Sequence, residues 1–401
     1  MTVPSILPAR AWLTALGASL VISLAGCQDQ PSPTDPLVNP SMAVITQTAS
    51  APVVTSLADP GDGTCDGTEC TLREAIAYAT SGAEITFMAG LSGTITLGAT
   101  LGIHKNLTIT GPGAGNLSVN GSGTSMVFSI SLGWEVAISN LTVTGGSSSH
   151  DGGGIWSAGS LTLSDCSVTG NSTSAYSRGA GIYQYEGELT ISRCVISGNT
   201  SGDDGGGIYN VRGNVVIEQS TVSGNTAAYY GGGISNFDGT VLVEESTVSG
   251  NTAEWYGGGI YSKTDMPATG LAVTTILNST VSGNSASEGG GLYNYEGLTR
   301  IILSTITENE ASSVGGGVWS WNDVYTQVDV KGSIIWGNTL NDGTTANDVA
   351  AANLLPTNRF NSLGYNLIGK AGTGVDFTLE FDATDDQTGV ETANLGGLAD
   401  N

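Results

Sequence analysis

Short alternating runs of apolar and polar residues recur down most of this chain: Leu161-Thr162-Leu163, Leu189-Thr190-Ile191, Val215-Val216-Ile217 and Val241-Leu242-Val243. Alternation over a few residues predicts half-buried strands, and no 3.6-residue period accompanies it in the repeats. Two marks punctuate the runs. A glycine triplet ends at Gly154, Gly181 (as Gly-Ala-Gly), Gly207, Gly233, Gly259, Gly291 and Gly317, most often at steps of 26 residues. An asparagine keeps the same beat at Asn171, Asn199, Asn225, Asn251, Asn284, Asn309 and Asn338, each after Val/Ile-x-x. Three short strands per period, separated by glycine or asparagine turns, predict one coil of an all-β solenoid, the parallel β-helix. Inward positions Ile191, Cys194, Ile196 and Ile208 then align with Ile217, Ser220, Val222 and Ile234 of the next coil. Asparagine suits one turn because it tolerates unusual backbone angles and its amide can bond to its copies above and below. Glycine suits another because a sharp, flat start to a strand leaves no room for Cβ.

The stretch from Ile85 to Ile130 has the same strand lengths without the triplet, so it reads as the first, less regular coils. A solenoid must hide its open end. Thr71 to Ala79 predicts a capping helix, with Leu72, Ala75, Ile76 and Ala79 on one face and Thr71 and Glu74 as a capping box. Cys65 and Cys70 flank a short Asp/Gly turn just before it and are expected to be disulfide bonded in an exported chain. Cys166 and Cys194 hold one slot on adjacent coils, where a bond or two buried thiols are both open.

Charge and the first residues add the location. Lys plus Arg total 11 against 36 acids, a net charge of −25, which repels nucleic acid and anionic headgroups. Arg10 precedes an apolar run from Ala11 to Leu24, a secretion signal set apart from the fold. Leu24-Ala25-Gly26-Cys27 resembles the lipobox of bacterial lipoproteins, which implies that Cys27 carries lipid and that membrane attachment is through this anchor only. By the same resemblance, Gln28 after the cysteine favours the outer membrane. Residues 27–50, rich in proline, serine and threonine, read as a flexible tether.

Asp59-Pro60-Gly61-Asp62-Gly63 to Cys65, then Cys70-Thr71-Leu72-Arg73-Glu74-Ala75-Ile76, resembles the CSLREAI domain of bacterial surface β-helix proteins, with threonine in place of serine. The Gly-Gly-Gly-Ile-Tyr and Val-Ser-Gly-Asn units are similar to the repeats of polymorphic outer membrane proteins, a group associated with adhesion. Ser333 to Asn338, Leu363 to Gly369 and Leu395 to Asn401 resemble the choice-of-anchor Q region. There the last motif runs on into further glycine-rich strands, so the stop at Asn401 reads as a fragment. The resemblance implies a right-handed, pectin-lyase-like helix. The expected organisation is a signal at 1–26, the tether at 27–50, the cap at 51–84, the helix at 85–340 and the anchor-like region at 341–401.

The same architecture carries polysaccharide lyases and hydrolases, so chemistry must be sought in residues. No Arg-x-Pro-x-x-Arg arrangement of lyases occurs. A hydrolase needs paired carboxylates. Asp203-Asp204 is the one adjacent pair in a coil turn, with His150-Asp151 two coils earlier, and the Gly-His-Gly and Arg-x-Lys companions are missing. These two aspartates are the catalytic candidates. No metal site is identified and no cofactor is expected, with calcium in the Asp59 to Glu69 stretch left open. The stronger signal follows each glycine triplet: Trp156, Tyr183, Tyr209, Ser235, Tyr261, Tyr293 and Trp319. By alternation these rings face outward as a stripe, with Tyr185, Phe237, Tyr295 and Trp321 beside them and Tyr229-Tyr230 and Trp255-Tyr256 in the preceding turn. Spaced flat rings suit sugars, although like residues also stack on like in a β-helix for stability alone. The reading is a lipid-anchored surface adhesin or glycan-binding protein whose partner is a polysaccharide or a host or neighbour-cell glycan, with Trp156, Tyr183, Tyr209, Tyr261, Tyr293 and Trp319 as the binding rings. A polysaccharide lyase or glycoside hydrolase is the alternative, and a passive spacer the third. The oligomeric state is not legible.

Overall fold

The computed structural model describes residues 51–391 apart from 67, 266, 268–269, 322–325, 342 and 353–359. Cys27, the signal, the tether and the motif from Leu395 to Asn401 therefore lie outside the described residues. Parallel strands stack into a β-solenoid of four sheets, numbered I to IV in the order one coil visits them. Sheet I has 12 strands, sheet II has 11, sheet III has 8 and sheet IV has 10 among the described residues. One coil shows the pattern: Asn214–Glu218 in sheet I, Thr221–Ser223 in II, Thr226–Ala227 in III and Ile234–Phe237 in IV. The coil thus has four strands where three were expected. The additional one follows each asparagine and has two residues in most coils, too short for alternation to announce, lengthening to four at Ser285–Glu288 and five at Glu310–Val314. Strands at Val349–Ala351, Phe360–Ser362 and Leu367–Ile368 extend sheets IV, I and II, so stacking continues past residue 340.

Register is strict because every coil presents the same inward set. Ile191 pairs with Ile217, Ile196 with Val222 and Ile208 with Ile234, and all six side chains are fully buried. A one-residue slip would turn these aliphatics to solvent. The corners are polar instead. Asn171, Asn199, Asn225, Asn251, Asn284, Asn309 and Asn338 form an interior amide ladder. None of them has a positive φ. That conformation falls on the residue before, as at Gly224 and Gly250 (φ +62° each), so the asparagine serves the ladder and its neighbour makes the turn. Asn210, Asn236 and Asn294 make a second buried rank at the corner between sheets IV and I, where Asn210 Nδ2 donates to Asn236 Oδ1 at 2.9 Å. The triplet is crowded as expected: a Cβ on Gly232 would come within 2.4 Å of the Thr252 carbonyl oxygen.

Cys166 and Cys194 are buried free thiols. They stand in the rank of Ser220, Ser246, Ser279, Ser304 and Ser333. Cys166 N–H donates to Cys194 Sγ at 3.3 Å as Cys194 N–H does to Ser220 Oγ at 2.9 Å. Cys65 and Cys70 are joined by a disulfide. Helix α1, Leu72–Tyr78, begins with the capping box: Glu74 N–H donates to Thr71 Oγ1 at 3.3 Å, and Thr71 N–H to Glu74 Oε2 at 2.8 Å. Leu72, Ala75, Ile76 and Ala79 are buried against the first coils. A second helix, α2 at Phe377–Glu380, has no counterpart in the sequence reading because four residues carry no periodicity. Among the described residues no helix is long and apolar enough to cross a membrane.

Candidate functional site

The residue after each inward aliphatic of the triplet unit does sit on the outer side of sheet IV, yet these rings are covered. Tyr183, Tyr209, Tyr261, Tyr293 and Trp319 are at most 6% exposed, and Trp156 alone of the six keeps partial exposure. The expected open stripe fails for a geometric reason. Coils in register stand about 5 Å apart, so each ring lies on its copy. Tyr183 and Tyr209 stack at 5.3 Å with an interplanar angle of 8°. Ser235 interrupts the rank, and Phe237 bridges the step, 5.4 Å from Tyr209 and 5.7 Å from Tyr261. The preceding turn then folds over the column: Tyr230 stacks on Tyr261 at 4.9 Å and Tyr256 on Tyr293 at 4.6 Å. On Tyr209, Tyr261 and Tyr293 the faces that a sugar would need are occupied by other rings.

Residues just ahead of each triplet form a second rank: Asp151, Arg178, Asp204, Tyr230, Tyr256, Glu288 and Val314. Backbone bonds of 2.9–3.0 Å fix the register, from Gly152 N–H to the Arg178 carbonyl, Gly179 to Asp204 and Gly205 to Tyr230. Arg178 meets Asp151 through Nε at 3.3 Å and Nη2 at 3.0 Å, and donates Nη1 to the Tyr209 hydroxyl at 3.0 Å. Its guanidinium lies 4.9 Å from the Tyr209 ring centroid and 5.7 Å from that of Tyr183. Asp204 is 6% exposed and accepts the Tyr230 N–H at 3.0 Å. Burial, then the neighbouring charge of Asp203, pushes its carboxyl up to about 8, and burial raises Asp203 as well. The pair holds a proton at neutral pH and could donate or accept one. The structure thus lines up Asp151, Arg178 and Asp204 on three successive coils, with Asp203 next to Asp204. Arg178 is one of the repeat-region cations that lack the lyase arrangement, and its place ahead of Gly179-Ala180-Gly181 was the available signal for this pairing.

One position earlier runs a third rank of Asp203, Tyr229 and Trp255. Tyr229 N–H donates to the Asp203 carbonyl at 3.1 Å and Trp255 N–H to the Tyr229 carbonyl at 3.0 Å. Trp255 is 45% exposed. It lies at 68° to Tyr229 and 78° to Tyr256, with centroids 6.1 and 6.2 Å away, so neither neighbour stacks on it in parallel. A shallow recess of about 400 Å³ lies on another face, the outside of sheet I, between Glu188, Val216, Leu242 and Thr275. Its one acid is Glu188. The chemistry converges on the edge between sheets III and IV instead. In the stretch considered for calcium, Asp59 pairs with Arg73 at 2.6 Å, Asp62 accepts from Thr64 and Asp66 from Thr68. Among the described residues no group of three or more His, Cys, Asp or Glu side chains is placed to hold a metal.

The Chlamydia polymorphic membrane protein repeat matches residues 193–211 and 245–263, the parts of two coils that run from the corner between sheets I and II through the triplet into sheet IV. Among solved structures, the chain is similar to a mannuronic acid specific polysaccharide family 6 lyase from human gut microbiota. The two share 11% identity over 77% of each chain, with a TM-score of 0.31. No curated protein matches it.

Proposed function

We propose that this chain is a cell-surface β-solenoid, held by lipid at Cys27, that binds glycan chains along the edge where sheet III turns into sheet IV. Polymorphic membrane protein repeats support a surface location. The observation that carries the binding role is Trp255, a half-exposed indole with no ring stacked on it, beside Tyr229. Tryptophan and tyrosine offer an apolar face and a polar edge at small entropic cost, which suits a sugar ring. Tyr183, Tyr209, Tyr261, Tyr293, Trp319 and the partly exposed Trp156 then act as the rigid backing of that edge.

Affinity electrophoresis through polysaccharide-containing gels tests it. Trp255→Ala, and separately Tyr229→Ala, should weaken retardation by at least about tenfold in apparent Kd, because exposed aromatic anchors dominate such contacts. Their thermal midpoints should stay near that of the parent. Tyr209→Ala should instead lower the midpoint, since it empties a buried site. Undiminished retardation in both edge variants would remove the binding role.

A second reading, cleavage of the bound glycan, is favoured by the proton held between Asp203 and Asp204. It expects a cleared track behind the retarded band that Asp203→Asn abolishes while retardation remains. A track that never clears leaves binding alone.

A further inference from the structure

We infer that the glycan taken on this edge is positively charged, an amino sugar with a free or alkylated amine, and this rests on the glycan-binding reading above. The rings and the acids around them point the same way. Trp255 and Tyr229 present π-electron density, which attracts cations, most strongly at tryptophan. Asp203 lies one coil before Tyr229 in the same rank, and Glu254 is exposed next to Trp255. Glu288, one coil on, donates its N–H to the Trp255 carbonyl at 2.9 Å. Its Oε2 is buried with no hydrogen-bond partner.

Among the described residues around Trp255 no Lys or Arg side chain stands free to receive an anion. Arg178, the cation of these ranks, is held by Asp151 and by the Tyr209 hydroxyl and is roofed over two tyrosine rings. The backbone donors are engaged as well. Tyr229 N–H binds the Asp203 carbonyl, Tyr230 N–H the Asp204 carboxylate, and Trp255 and Tyr256 N–H the Tyr229 carbonyl. A uronate laid on Trp255 would meet carboxylates and neutral donors such as the indole N–H, with no free guanidinium or ammonium to balance its charge. An ammonium would meet an aromatic face and carboxylates, which accept hydrogen bonds from a free amine and attract a quaternary one by charge alone.

Calorimetry at pH 7 with three β-1,4 oligomers of equal length tests this: N,N,N-trimethylglucosamine, whose charge is permanent, N-acetylglucosamine and mannuronate. The trimethylated oligomer should bind roughly tenfold tighter than the acetylated one, the scale of a partly desolvated cation–π contact, and mannuronate should not bind. Asp203→Asn with Glu254→Gln should bring the ratio of the first two affinities close to one. Since the whole surface is acidic, Trp255→Ala is the control: the ratio should collapse there too, and its survival would trace the preference to bulk charge and overturn the inference. Equal affinity for the cationic and acetylated oligomers, or preference for mannuronate, overturns the charge inference and leaves glycan binding standing. Failure of all three to bind overturns the glycan reading and this one with it.

Discussion

Asn251→Ala should destabilise the solenoid by about 3–6 kcal/mol, whereas Thr252→Ala next to it, on the surface, should change stability by less than about 0.5 kcal/mol. The difference lies in the interior ladder. Asn251 Oδ1 accepts the Asn225 N–H at 3.0 Å and the Asn225 Nδ2 at 2.9 Å. Its own Nδ2 donates to the Val222 carbonyl at 3.0 Å and to Asn284 Oδ1 at 2.9 Å. The residue has no exposure to water. Alanine would leave a backbone N–H, an amide hydrogen and a carbonyl buried without partners, at about 1–3 kcal/mol each before relaxation. Asn251→Asp should also be costly, because a carboxylate accepts but cannot donate to Val222 or Asn284. The chain uses that property at the end of the ladder, where Asn338 N–H and Nδ2 both donate to Asp348 Oδ1 at 2.8 Å, and again where Asn366 N–H and Nδ2 both donate to Asp386 Oδ1 at 3.0 Å. Denaturant unfolding by circular dichroism measures the loss. A midpoint for Asn251→Ala within about 1 kcal/mol of the parent would mean that the coils relax to restore these bonds.

The ladder itself was legible, because an asparagine that returns with every coil must meet its copy once strands stack in parallel. So were the aliphatic ranks and the crowding of the triplet. Much of the site was not. Alternation reports which side of a strand a residue occupies, and it placed Tyr209 and Tyr261 outside the lumen correctly. It says nothing of what covers that side. The turn carrying Tyr230 and Tyr256 crosses it, and the coil spacing close to ring-stacking distance uses the remaining faces. The same regularity explains why Trp255 differs. It belongs to a rank with one other aromatic, Tyr229, so no column forms and its ring stays partly open. Irregularity within a repeat, here Ser235 in one rank and Trp255 in another, is thus a better pointer to a surface than the repeat's own consensus.

The acid pair leads to a result of the opposite sign to the usual aspartate. Stability should fall as pH rises from about 4 to about 8, and Asp204→Asn should flatten much of that fall. In the unfolded chain Asp204 loses its proton near 3.9. Folded, it keeps the proton until about 8, because burial and then Asp203 oppose its charge. Between those values the folded state binds a proton that the unfolded state has released, so rising pH favours unfolding by up to about 1.4 kcal/mol per pH unit. Over the window this amounts to roughly 2–5 kcal/mol, since Asp203 and Arg178 share the load. Burial raises Asp203, Glu288 and Asp348 in the same direction, so part of the slope will survive the substitution. Asparagine at 204 has the shape to keep accepting the Tyr230 N–H, and its new amide can donate to the Asp203 carboxylate without a buried charge. The variant should therefore match the parent near pH 4 and exceed it by about 2–4 kcal/mol at pH 8. Unfolding curves for both proteins at half-unit steps across this range decide the matter. Parallel profiles would mean that the pair is ionised in the folded protein and reached by water, and the proton on which the cleavage reading depends would not be there.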